Sequence, residues 1–201
     1  MKKLLLIAFL LSTGSLYAQY IKLDNGIVSS SFHNEKNLSI LSSKKIVSYS
    51  FLLGTDYLEK GWFYLSSQIG YIKIGGKEKN SLPQEEYNSI SESGSFIHLN
   101  TTFRAYIKAS ESRFFVGIGP YINISTGNKN FDSPLYSPSF SFKNLYVGGK
   151  PEIGATVDIN KFRVGLTGTY MFNLSPSAAS EFISLYNNAF SAMATVAYRI
   201  R

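Results

Sequence analysis

From residue 19 onward the apolar positions recur every second residue, and no helical stripe exceeds two turns. Such alternation marks strands with one apolar face. Phe114, Val116, Ile118, Pro120, Ile122 and Ile124 share one side of a segment whose other side carries Phe115, Gly117, Gly119, Tyr121, Asn123 and Ser125. The segment 145–159 sets Leu145, Val147, Ile153 and Val157 against Tyr146, Lys150, Glu152, Thr156 and Asp158. Residues 162–173 set Phe162, Val164, Leu166, Tyr170 and Phe172 against Arg163, Gly165, Thr167, Thr169 and Asn173. Residues 190–200 set Phe190, Val196, Tyr198 and Ile200 against Ser191, Met193, Thr195 and Arg199. A fourth strand opposes Ile97, Leu99, Phe103 and Ile107 to His98, Asn100, Thr102, Arg104 and Lys108. Before it, strands are expected from Trp62 to about Ile74 and from Ile46 to about Leu58. A first strand lies between Leu23 and His33, its faces blurred by Ser29, Ser30 and Ser31.

The connections alternate in length. Residues 59–61, 109–112 and 160–161 are short turns, whereas 34–45, 75–93, 127–144 and 175–188 are long and rich in Ser, Asn, Gly, Pro and charge. Eight strands joined in this way form an up-and-down meander with minimal turns at one end. The expected fold is all-β: an eight-stranded antiparallel transmembrane β-barrel.

Three features favour a membrane barrel over a soluble sandwich. The strands are long, and tilted membrane strands need about 9 to 11 residues. The polar face is crowded with small residues such as Gly117, Gly148, Gly165, Ser191 and Ala197, which suit the filled interior of an eight-stranded barrel. Tyr57, Phe63, Phe114, Phe162 and Tyr198 near the short turns, and Tyr170, Phe172 and Phe190 toward the long loops, read as two interfacial girdles. A one-residue slip of segment 145–159 would turn Lys150 and Glu152 toward lipid, where a basic residue near the midplane costs about 2–4 kcal/mol.

Composition narrows the function. The 201 residues include 15% aromatic and 16% charged residues and no Cys. Disulfides, thiolate metal sites and a thiol nucleophile are therefore excluded. The longest apolar run, Leu4 to Leu11, falls short of the about 20 residues of a spanning helix. Lys2 and Lys3 before that run, with small residues up to Ala18, have the layout of a secretory signal peptide over 1–18. Cleavage after Ala18 leaves one barrel domain, 19–201, and lowers the formal net charge of +7 by two. Export and modest positive charge argue against nucleic acid as a partner.

The mature chain resembles the outer-membrane β-barrel domain family common in Bacteroidetes, a group of barrels like OmpA and OmpX that includes PorT-like proteins. The residues that carry the likeness are Ala18-Gln19, Phe115-Val-Gly-Ile-Gly-Pro-Tyr121, Pro151-Glu-Ile-Gly154 and Val196-Ala-Tyr-Arg-Ile200. The resemblance implies a bacterial outer-membrane location and a non-catalytic role in envelope integrity or in surface recognition through four long extracellular loops. An accessory subunit of an envelope secretion or transport machine is the alternative. A lipid-modifying enzyme is a third reading, for which His98 would be the base and Ser91, Ser93, Ser95 and Glu92 lie close in sequence.

No cofactor or metal motif is present. The lumen is expected to hold a charge network of Arg104, Lys150, Glu152, Arg163 and Arg199, because buried charges persist when paired. Lys73, Lys77 and Lys143, near the rim, are candidate contacts for lipopolysaccharide phosphates. The expected partners are outer-membrane lipid, lipopolysaccharide and a protein bound through the loops, with the barrel itself a monomer.

Overall fold

The structure is a computed structural model that describes residues 18–34, 44–77, 91–127, 141–180 and 184–200. The strands are β1 (Ala18–Asn34), β2 (Ile46–Lys60), β3 (Phe63–Lys77), β4 (Ser91–Ala109), β5 (Ser112–Ser125), β6 (Ser141–Phe142), β7 (Leu145–Ile159), β8 (Phe162–Asn173), β9 (Ala178–Ala179) and β10 (Ser184–Arg199). Eight of them are long, and each pairs antiparallel with its neighbour in the order β1-β2-β3-β4-β5-β7-β8-β10. β10 then pairs with β1 over 15 residue pairs, from Tyr20↔Arg199 to Asn34↔Leu185, and closes the cylinder. Closure leaves every long strand with two neighbours, so no edge is exposed.

Side-chain parity follows the sequence alternation. Ile118, Ile153 and Leu166 are 62%, 65% and 68% exposed on the outside, while Tyr121, Glu152 and Arg163 on the opposite parity are buried within. The outer surface is apolar and the inner one is packed. Phe114, Phe162 and Tyr198 stand exposed near the short turns, and Tyr170 and Phe190 stand exposed toward the other end. Trp62 joins the first girdle, with its ring 5.8 Å from Phe103.

Local chemistry shapes the cylinder. Pro120 and Pro151 have no N–H to donate, and the β4–β5 and β7–β8 ladders each skip two positions beside them. A Cβ on Gly26 would lie 2.0 Å from the Ala192 carbonyl oxygen, and one on Gly119 would lie 2.0 Å from that of Thr101. Inward glycines thus let neighbouring strands approach closely enough for tight curvature. Gly61, Ser110 and Asn160 take φ of 58°, 58° and 55° in the three short turns. Leu58, at φ 53°, sits in a register shift between Tyr57 and Lys60.

Several boundaries differ from expectation. The first strand is much longer than Leu23 to His33, because its parity is masked by apolar Val28 and Phe32 inside and polar Asn25, Ser29 and Ser31 outside. β3 starts one residue later than expected and extends to Lys77, and β4 starts at Ser91, so the 75–93 connection is shorter than expected. β6 and β9, inside two of the expected long loops, pair with each other, and β9 pairs with β10. Residues 1–17, within the expected signal peptide, and residues 35–43, 78–90, 128–140, 181–183 and 201 lie outside the described residues.

Candidate functional site

The lumen has two unlike halves. Toward the short turns it is filled by charge. Arg104 donates from Nε to Glu152 Oε1, and Lys150 Nζ lies 3.2 Å from Glu152 Oε2. Lys150 also donates to Gln68 Oε1 at 3.3 Å, and the Gln68 amide donates to Asp24. Lys22 is 3.6 Å from Asp24 and 3.2 Å from Asp56, and donates to Ser66 Oγ at 2.6 Å. Arg163 reaches Asp158 at 2.7 Å, Asp56 at 3.6 Å and Glu59 at 3.9 Å. Arg113 completes the floor, pairing with Glu59 and lying 3.0 Å from Asp158.

Among the described residues this network sets five buried bases, Lys22, Arg104, Arg113, Lys150 and Arg163, against five acids, Asp24, Asp56, Glu59, Glu152 and Asp158, with the part-exposed Arg199 as a sixth base 3.8 Å from Asp158. That balance matters because an unpaired ion in a water-poor interior carries a desolvation cost of several kcal/mol. Aromatic faces assist. The Arg163 guanidinium lies 3.8 Å from the Tyr20 ring centroid, and that of Arg104 lies 4.5 Å from the Phe115 centroid.

Above the charges the interior becomes apolar. Val28, Phe32, Ile72, Ile74, Phe96, Tyr146, Leu185 and Ala178 are buried together, with Phe142 of β6 among them. Phe142 lies 6.0 Å from Phe32 and 5.9 Å from Phe96, so part of one connecting loop folds into the mouth. Between the halves runs a polar aromatic layer. His98 Nδ1 is 2.7 Å from Asn123 Oδ1, Asn123 donates to Tyr146 OH at 2.8 Å, and Tyr121 OH donates to Asn173 at 2.6 Å. A cavity of about 20 Å³ lies at the junction, lined by Asp24, Gln68, His98, Lys150 and Glu152 among others. That is room for a single water.

The expected network residues are only partly brought together. Arg104, Lys150 and Glu152 form one cluster. Arg163 belongs to the next one down, joined to the first through Asp56, Lys22, Asp24 and Gln68. Arg199 is at the rim, its side chain 41% exposed, where it donates to Tyr20 OH at 2.7 Å and lies 3.8 Å from Asp158. Lys22, Asp24, Asp56, Glu59 and Arg113 escaped the sequence reading. The signal was present as Ile21 and Leu23 outside against Tyr20, Lys22 and Asp24 inside. On β2, buried Leu52 shares the inward parity of Asp56 and hid it.

Lys73 is exposed on the outward face of β3. Lys77, on the same parity, is half-buried and bridged through its backbone to Lys44. Lys143 is exposed beside β6, and its N–H donates to the Ser177 carbonyl. The residues suggested for esterase chemistry are separated by parity. Glu92 and His98 point inward, while Ser91, Ser93 and Ser95 lie on the outer face, with Ser95 Oγ 2.7 Å from Tyr71 OH. His33 is exposed, its ring 5.8 Å from that of Tyr186, and no cluster of metal-binding side chains occurs among the described residues.

No protein-family model matches the sequence, and neither does any curated protein. Solved structures do. Outer membrane protein AlkL, determined by solid-state NMR in DMPC lipid bilayers, aligns with a TM-score of 0.53 and 12% identity over 92% of this chain and 91% of that one. Neisserial surface protein A aligns with a TM-score of 0.49 and 9% identity over 90% of this chain and 96% of that one. Ail, the attachment invasion locus protein of Yersinia pestis, determined in complex with the heparin analogue sucrose octasulfate, aligns with a TM-score of 0.46 and 12% identity over 89% and 98%. At these identities the AlkL likeness speaks of fold alone, and it agrees with the apolar exterior and closed strand order. The architecture is that of a small eight-stranded transmembrane β-barrel of the outer-membrane type.

Proposed function

We propose that the protein is a non-catalytic resident of a bacterial outer membrane that acts in envelope integrity or surface recognition, with its extracellular loops as the working surface. The observation that carries this reading is the filled lumen. Its charged half is neutralised pair by pair, its other half is packed like a protein core, and the cavity between them has room for about one water. Side chains that fill an eight-stranded barrel leave no aqueous path for ions or nutrients. The separation of His98 from Ser91, Ser93 and Ser95 by strand parity supports the absence of a hydrolytic site. The motifs quoted above support placement in the Bacteroidetes-type family.

Single-channel recording of the refolded protein in planar bilayers is the test. The expected result is no steady conductance, and sustained open channels would overturn the reading. Lys73, Lys77 and Lys143 supply cationic contacts to lipopolysaccharide phosphates at the long-loop end. Replacing all three with Glu is expected to weaken binding of lipopolysaccharide to the folded barrel, and unchanged binding removes that assignment.

A further inference from the structure

Several polar side chains on the lipid-facing surface are satisfied by one another. Tyr57 OH and Ser67 Oγ lie 3.0 Å apart, Ser67 Oγ and Thr101 Oγ1 lie 2.9 Å apart, and Tyr71 OH lies 2.7 Å from Ser95 Oγ. Asn25 differs. It is exposed on the outward parity of β1, between outward Leu23 and Ile27, and its amide has no hydrogen bond among the described residues. Its height follows from the register. Asn25 pairs with Ala194, which is midway along β10 between the exposed girdle residues Tyr198 and Phe190. The amide therefore stands near the middle of the apolar belt, where no water is available to bond it.

We infer that Asn25 is the centre of an interface between two copies of this barrel within the membrane. An amide is donor and acceptor at once, so it is complementary to itself, and a two-fold axis along the membrane normal brings two copies of it together at equal depth. The surroundings permit that approach. Ala192 and Ala194 are the outward residues of β10 beside Asn25, and Gly168 on β8 pairs with Ala192, while the larger Phe51 faces Asn25 from β2 and Ile27 stands opposite Ala192. Contact through small side chains brings the backbones close enough for polar groups to bond across an interface in lipid. This interface replaces the monomer expected from the sequence and depends on membrane insertion, but not on a sealed lumen.

The chain has no Cys, so a single engineered thiol reports proximity. Ala192→Cys lies on the proposed interface, and Ile118→Cys on β5 lies across the barrel, four strands from β1 of Asn25 in either direction. In vesicles at high lipid-to-protein ratio, oxidation is expected to give disulfide-linked dimers of Ala192→Cys and few of Ile118→Cys. Adding Asn25→Leu to Ala192→Cys is expected to weaken association about fivefold and so to lower the dimer fraction, the effect of losing roughly one in-membrane hydrogen bond of about 1 kcal/mol. Asn25→Gln, which keeps the amide, retains more dimer than Asn25→Leu. Heat-modified gel mobility confirms that each variant is folded, and Asn25→Ala, which also lacks the amide, stands in should Asn25→Leu fail to fold. Equal cross-linking at positions 192 and 118, or a dimer fraction indifferent to the loss of the amide, overturns the inference. A folded barrel that stays monomeric would leave the proposed sealed-lumen function untouched.

Discussion

The two halves of the lumen solve one packing problem with opposite chemistry. Toward the short turns, Lys22, Arg104, Lys150 and Arg163 fill the space with long chains whose charges must all be matched. Toward the loops, Phe32, Phe96, Phe142 and Leu185 fill it as the interior of a soluble protein does. Charges and apolar groups differ in what they demand. Apolar packing tolerates local change in proportion to the volume lost, whereas a matched ionic lattice fails when one member is removed, because the remaining charge stays buried. The charged half also specifies register, since a one-residue slip would turn Lys22, Lys150 and Arg163 toward lipid. The apolar half instead ties β6 and β9, segments of two loops, to the barrel wall.

The largest expected effect breaks the charged half. Glu152→Ala leaves Arg104 and Lys150 buried without their shared carboxylate, at a cost of about 4 kcal/mol. The check is urea unfolding in lipid vesicles, followed by the fluorescence of the single Trp, Trp62. Replacing Arg104, Lys150 and Glu152 together with Met, Met and Leu is expected to recover much of that loss, because a well-packed apolar substitute for an ionic cluster is often neutral. If the triple variant is as unstable as Glu152→Ala, the difference between the halves lies in packing rather than in charge matching.

Next in size is Phe96→Ala in the apolar half. It deletes a fully buried ring that packs edge-on against Tyr146 at 5.1 Å, and it is expected to cost about 3 kcal/mol in the same unfolding assay. Its cost should be the same at low and high salt. On the outer wall, Ile118→Arg puts a charge in the apolar belt and is expected to cost about 2 kcal/mol, visible as a smaller folded fraction on a heat-modifiability gel. The smallest effect belongs to Arg199→Ala. Its half-exposed side chain has Asp158 at 3.8 Å, so removing it should change stability by about 0.5 kcal/mol or less.

How much of this was legible depended on whether neighbouring residues kept to one rule. β5, β7 and β8 alternate cleanly, and their faces, turns and inward Lys150, Glu152 and Arg163 follow from parity. β1 and β2 break the rule because the loop-side lumen is apolar. Val28, Phe32 and Leu52 face inward, so an expectation of polar interior and apolar exterior misread the very strands that supply Lys22, Asp24 and Asp56. The candidate network was therefore half legible. The inner loop segments β6 and β9 have no periodic signal at all, since two residues cannot show a period.

Sequence alone determined the period, the turn positions and, on β5, β7 and β8, the sign of each face, because those depend on whether consecutive side chains prefer lipid or a shielded interior. Tertiary structure decided which charges meet. Arg163 on β8 reaches Asp56 on β2, and Lys150 on β7 reaches Gln68 on β3, between strands that are not neighbours, and the first of these contacts depends on the stagger with which β10 closes on β1. No local preference of the chain encodes that stagger. It emerges when β10 meets β1 and the interior volume must be filled without leaving an ion alone.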